Sequence, residues 1–91
     1  MKINHKQQEL IELLLTSTKT QFPEIEYKGM SKNPDDKEHL FINITAAFDD
    51  SREEYFRDFT AEMEADIHLD TGYRISFMLD NPNLLLEQAA Y

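Results

Sequence analysis

Residues 40–48 read Leu40-Phe41-Ile42-Asn43-Ile44-Thr45-Ala46-Ala47-Phe48, and this stretch decides the fold. Successive side chains of a strand point to opposite faces. Leu40, Ile42, Ile44, Ala46 and Phe48 therefore share one apolar face, while Phe41, Asn43, Thr45 and Ala47 make the other face half apolar. A strand of that kind sits at the centre of a sheet, with neighbours on both edges.

Downstream, Ser51 with Glu54 three residues later has the form of a helical capping box. Tyr55, Phe56, Phe59, Met63 and Ile67 then recur at helical spacing as one amphipathic stripe. Gly72 is placed to end that helix. Tyr73, Ile75, Phe77 and Leu79 alternate with Arg74, Ser76 and Met78, which predicts a third strand. A right-handed crossover makes it parallel to the second. Asn81-Pro82 has the chemistry of an N-cap and first turn, predicting a short last helix that carries Leu84, Leu85 and Leu86.

Upstream, Ile25 and Tyr27 alternate with Glu24, Glu26 and Lys28, a strand with one wet face. Asn33-Pro34-Asp35-Asp36 supplies turn residues, and residues 31–38 are expected to form a long mobile loop. Before it, Asn4 and Gln7 make a cap for a helix whose stripe is Leu10, Ile11, Leu14, Leu15 and Thr18. Pro23 stops that helix at or before Phe22.

The expected architecture is a single α+β domain over residues 1–91 with element order α-β-β-α-β-α. It is a two-layer sandwich: a three-stranded mixed sheet, strand order 1-2-3, with the first two helices on one face and a short C-terminal helix. The free face is expected to present Phe41, Thr45, Ala47 and Met78 beside Glu24, Glu26 and Arg74. Either the last helix or a second copy must cover it. Three consecutive leucines put an apolar residue on every side of a short helix, which favours a homodimer.

Composition narrows the function classes. A chain of 91 residues buries only about 60–65% of its unfolded surface, so the core is thin. With no cysteine there is no disulfide, thiolate metal site or thiol nucleophile. A hydrophobic share of 41% separates it from disordered acidic chains. The run Leu13-Leu14-Leu15 is far short of the roughly 20 apolar residues that span a bilayer, and no secretory signal is present, so a cytoplasmic address is expected. Eighteen acidic against nine basic residues leave a net charge of −9. That balance opposes nucleic acids and anionic membranes and suits basic proteins or divalent cations.

Catalytic patterns are missing. His5, His39 and His68 stand far apart, no Gly-x-Ser-x-Gly elbow exists, and Gly29 and Gly72 alone cannot make a phosphate loop. No cofactor and no catalytic residue is expected. Asp66-Ile67-His68-Leu69-Asp70 has the spacing of metal ligands on a strand, but on a helix the three polar side chains diverge. His68 and Glu64 are expected as an exposed i, i+4 pair.

The sharper signal is a row of acids. Glu54, Asp58, Glu62, Asp66 and Asp70 step by four along the second helix. Like charges at that spacing cost roughly 0.2–0.5 kcal/mol per pair, so the row costs on the order of 1–2 kcal/mol. Residues 49–70 hold nine acids against Arg52 and Arg57. A four-step row also drifts about 40° per step, so either the helix ends near Ile67 or Asp66 and Asp70 reach a boundary where they need partners. Three roles fit the row: a solvated face, a docking surface for a basic protein, and a loose divalent-cation site.

The element order resembles two known groups. One is the type II KH-like arrangement of ribosome-binding factors, from which this chain departs in having no Gly-x-x-Gly loop, no Ala-x-Gly kink in helix two, and the wrong charge for RNA. The other is the ferredoxin-like cytoplasmic domain of cation-efflux transporters, similar in topology over about residues 20–80. That resemblance implies dimerisation and metal sensing, with no metal-binding histidine motif matched. Neither carries a site onto this chain. The function expected is a non-catalytic, self-associating interaction or regulatory module that presents the acidic helix, with Phe41 and Met78 as further interaction residues. A divalent-metal-responsive ferredoxin-like domain is the alternative, and a small enzyme with its site at a dimer interface is a further one.

Overall fold

The computed structural model describes residues 3–82. Five elements follow in order: α1 (His5–Gln21), β1 (Glu26–Asn33), β2 (Asp36–Thr45), α2 (Asp50–Thr71) and β3 (Arg74–Asp80). β2 is the central strand, antiparallel to β1 and parallel to β3, in the sheet order β1-β2-β3. Its apolar face is fully covered: Leu40, Ile42 and Ile44 are each at most 1% exposed. The parallel register sets Ile75, Phe77 and Leu79 beside those three residues. Leu10, Ile11 and Leu14 of α1, with Phe56 and Ile67 of α2, join the same core.

Local chemistry explains the ends of α1. The Asn4 side chain accepts the Gln7 amide hydrogen, and the Gln7 side chain returns the bond to the Asn4 backbone. This reciprocal cap satisfies two donors that the first turn would otherwise leave open. At the other end Phe22 leaves the helix and becomes an aromatic hub. It is fully buried, with ring centroids of Phe48, Tyr55, Phe56 and Phe59 between 5.2 and 5.8 Å away.

Four expectations are corrected. The six-element order α-β-β-α-β-α becomes α-β-β-α-β, because the closing helix with Leu84, Leu85 and Leu86 lies outside the described residues. Asn81, expected as its cap, is buried and donates through Nδ2 to the Phe48 carbonyl (3.0 Å) and to Glu53 Oε1 (3.1 Å).

Residues 31–38 are not a long loop. Asn33 pairs with Asp36, which leaves Pro34-Asp35 as a two-residue turn. Asn33 Oδ1 accepts the Asp35 amide hydrogen at 2.9 Å, so the turn residues act locally while the ladder continues up to them.

α2 begins two residues before the expected box. Asp49 is the N-cap and accepts the Arg52 amide hydrogen at 2.7 Å. Aspartate caps as well as serine does, and the earlier start gains half a turn of helix. The helix then runs through to Thr71, closed by Gly72 at φ 79°.

Finally, Asp66 and Asp70 reach no buried boundary. Both are exposed. Ile67 is the last buried residue of α2, and Leu69, about 200° round the helix from it, is 81% exposed.

Candidate interaction surfaces

The acidic row stands on the outer side of α2. Glu54, Asp58, Glu62, Asp66 and Asp70 are all exposed, and none has an ion-pair partner among the described residues. The two arginines of the same helix are committed elsewhere. Arg57 pairs with Glu53 at 3.6 Å. Arg52 grips Glu24 through Nε and Nη2, each at 3.2 Å, and donates to the Gln21 carbonyl at 2.9 Å. Glu24, expected on the free sheet face, thus belongs to the helix side. The Arg52 hydrogen bond holds the Glu24 carboxyl below its ordinary range, against the slight burial there, which acts to raise it.

The free sheet face is built from alternate residues of β2 and β3: His39, Phe41, Asn43 and Thr45 beside Arg74, Ser76, Met78 and Asp80. Phe41 is half-buried and Met78 is 49% exposed, so the two expected apolar contacts do share this face. Polar bonds surround them. Asn43 Nδ2 donates to Ser31 Oγ at 3.2 Å, Thr45 Oγ1 donates to the Asp80 carbonyl at 3.0 Å, and Arg74 pairs with Asp36.

Sequence spacing gave no hint of two further contacts. His39 Nε2 lies 2.7 Å from Ser76 Oγ, brought there by the parallel pairing of β2 with β3. The His39 ring also tilts against Phe41, with centroids 4.8 Å apart. A serine–histidine pair needs a third group to orient the imidazole and donors for an oxyanion. His39 has no carboxylate partner among the described residues, and Ser76 is the member of the pair that also hydrogen-bonds the Glu64 carboxylate.

The second contact is at Glu64. It was expected beside His68 on the surface; the structure turns it into the cleft between α2 and β3, where its Oε2 accepts the Phe77 amide hydrogen at 3.3 Å. That cleft has a volume of about 240 Å³ and includes Thr60, Ala61 and Leu79 in its walls. Burial pushes the Glu64 carboxyl above its ordinary range, and the Phe77 hydrogen bond opposes this without cancelling it. Sequence spacing pointed the other way, since His68 stands one turn on as an i, i+4 partner for Glu64.

No group of three or more His, Asp or Glu side chains is placed to hold a metal ion among the described residues. Their helices are too short or too polar to cross a membrane. Comparison with protein-family models, curated proteins and solved structures finds no match.

Proposed function

We propose that this chain is a non-catalytic interaction module that self-associates and presents the acidic face of α2 to a basic partner. One observation carries the reading: five carboxylates at four-residue spacing, all exposed, none of them in an ion pair among the described residues. The helix bears their mutual repulsion without internal relief. A lysine- or arginine-rich surface laid along α2 would supply that relief on binding, with fast, salt-sensitive association.

The test is fluorescence anisotropy with a labelled lysine-rich peptide. Binding at low salt should weaken steeply in high salt and be lost in the Asp58→Lys, Glu62→Lys double variant. Glu9→Lys with Glu12→Lys makes the same change in net charge on α1. If that control loses binding equally, only bulk charge is being read, and the docking assignment falls.

A further inference from the structure

Both edges of a three-stranded sheet expose backbone groups that can recruit another strand. The two edges of this sheet are treated differently. β1 carries a register shift between Tyr27 and Gly29, with lysines at 28 and 32. Bulges and lysines of this kind are common edge protection. β3 has no such irregularity: its seven residues pair in unbroken register with β2.

Direction of the backbone on β3 follows from two bonds. The Asp80 carbonyl faces inward, where it accepts the Ala46 amide hydrogen at 3.2 Å. Three residues earlier the Phe77 N–H faces outward and meets Glu64. A carboxylate therefore occupies the position that the carbonyl of a fourth strand would take.

The sequence of β3, Arg74-Ile75-Ser76-Phe77-Met78-Leu79-Asp80, has an unusual property when paired antiparallel with itself. A twofold axis at Phe77 sets Arg74 opposite Asp80 of the second copy, and Asp80 opposite its Arg74. Ile75 meets Leu79, and Ser76 meets Met78, so each face keeps its character. Phe77 faces its own copy as a hydrogen-bonded pair, with N–H and C=O exchanged. Opposite charges directly across strands stabilise such pairing, and like charges oppose it. Above the edge, Thr60 and Ala61 are short, and the cleft they line leaves room for an incoming side chain.

The geometry points to the outer edge of β3 as the site where a second copy of this chain adds, antiparallel through Phe77, with Glu64 as the internal latch that opposes it. The inference rests on the self-association in the proposed function and specifies its interface. The join makes a continuous six-stranded sheet with an isologous interface. It also brings the two Glu64 carboxylates toward the same axis, so the latch acts twice: it occupies the Phe77 amide and it repels its symmetry mate.

Sedimentation equilibrium on the full chain tests this. Glu64→Gln should tighten the dimer by about tenfold or more, since like-charge juxtaposition at an interface is costly. Asp80→Lys, which faces Arg74 of the second copy, should weaken it by about tenfold. The chain has no cysteine, so a mixture of Ser76→Cys and Met78→Cys chains should form a mixed disulfide under mild oxidation, while Gln8→Cys on α1 should not. The crosslink reads the interface even if a charge variant folds poorly.

A dimer that ignores both substitutions and does not crosslink keeps the self-association and overturns the β3 edge. A response to Glu64→Gln but not to Asp80→Lys overturns the antiparallel register through Phe77, and so does the reverse. Monomers throughout, for wild type and Glu64→Gln alike, overturn both this interface and the self-associating function.

Discussion

The Arg52 guanidinium lies 4.4 Å from the centroid of the Phe22 ring, and the same side chain forks onto Glu24 and hydrogen-bonds the Gln21 carbonyl. One residue of α2 thereby closes the C-terminal end of α1, covers the aromatic hub and anchors the connection into β1. These three jobs need a planar, multi-donor cation, and lysine offers only a point charge.

Arg52→Ala is accordingly expected to lower the melting midpoint by about 4–8 °C, and Arg52→Lys by nearly as much. The contribution of Glu24 has a definite pH sign. Its folded carboxyl titrates below the ordinary 4.5, so the stabilisation is fully present above that value and is lost as pH falls through the folded one. Melts across this acid range, wild type against Glu24→Gln, check it; a constant gap between the two would contradict the assignment.

Glu64 has the opposite sign. Its folded carboxyl titrates above the ordinary 4.5 because of burial, so its stabilisation is present below that value and is lost as pH rises through the folded one. Glu64→Gln keeps an oxygen acceptor for Phe77 and removes the buried charge. The variant should melt above wild type at neutral pH, and the gap should close as pH falls toward 4.5 and below. Circular-dichroism melts over this range read the effect directly.

Thr18 is fully buried in α1, and its hydroxyl has no hydrogen-bond partner among the described residues. Valine has nearly the same shape and nothing to satisfy. Thr18→Val is therefore expected to stabilise the fold by about 1 kcal/mol, measured by urea denaturation. A loss of stability would mean that the hydroxyl has a partner.

Asp58 stands between Glu54 and Glu62 on the exposed row. Asp58→Lys replaces two repulsive spacings with two attractive ones, a gain of about 1 kcal/mol. Added NaCl should raise the midpoint of wild type more than that of the variant, because screening relieves the repulsion in wild type and weakens the attraction in the variant. Equal salt responses would mean that the row carries no strain.

Gly72 ends α2 at φ 79°, and a Cβ built there meets nothing within 4 Å. The cost of Gly72→Ala is thus purely that of the left-handed backbone, about 1 kcal/mol. A larger loss in urea denaturation would reveal a contact that the geometry does not contain.

The strong periodicities were legible along the chain. Leu40, Ile42 and Ile44 announce a central strand, and Leu10, Ile11 and Leu14 a helix stripe, because burial on one face imposes its period on any sequence that folds this way. The cap of α2 is not legible, because Asp49 and Ser51 are both good caps within half a turn, and local chemistry alone does not choose between them. The tight hairpin at Pro34-Asp35 is hidden for a related reason: polar residues such as Lys32 and Asp36 extend a ladder when cross-strand pairing holds them, whatever their own preference. At the surfaces, the acidic row itself was legible, since a four-residue step on a helix always makes neighbours, but the exposure of Asp66 and Asp70 at its end was not. The Glu64–Phe77 and His39–Ser76 contacts were not.

What the sequence by itself determined is everything set by period and charge: the α-β-β-α-β order of the described elements, their core faces, the parallel third strand and the line of carboxylates on α2. Tertiary structure decided which side chains leave their own element to serve another. Arg52 reaches back across α2 to α1, and Glu64 turns from the helix surface to the edge of β3. Periodicity reports only the direction in which a side chain starts. Where a long polar side chain ends depends on the unpaired carbonyls and amides that packing leaves within reach, and these exist only once the elements have met.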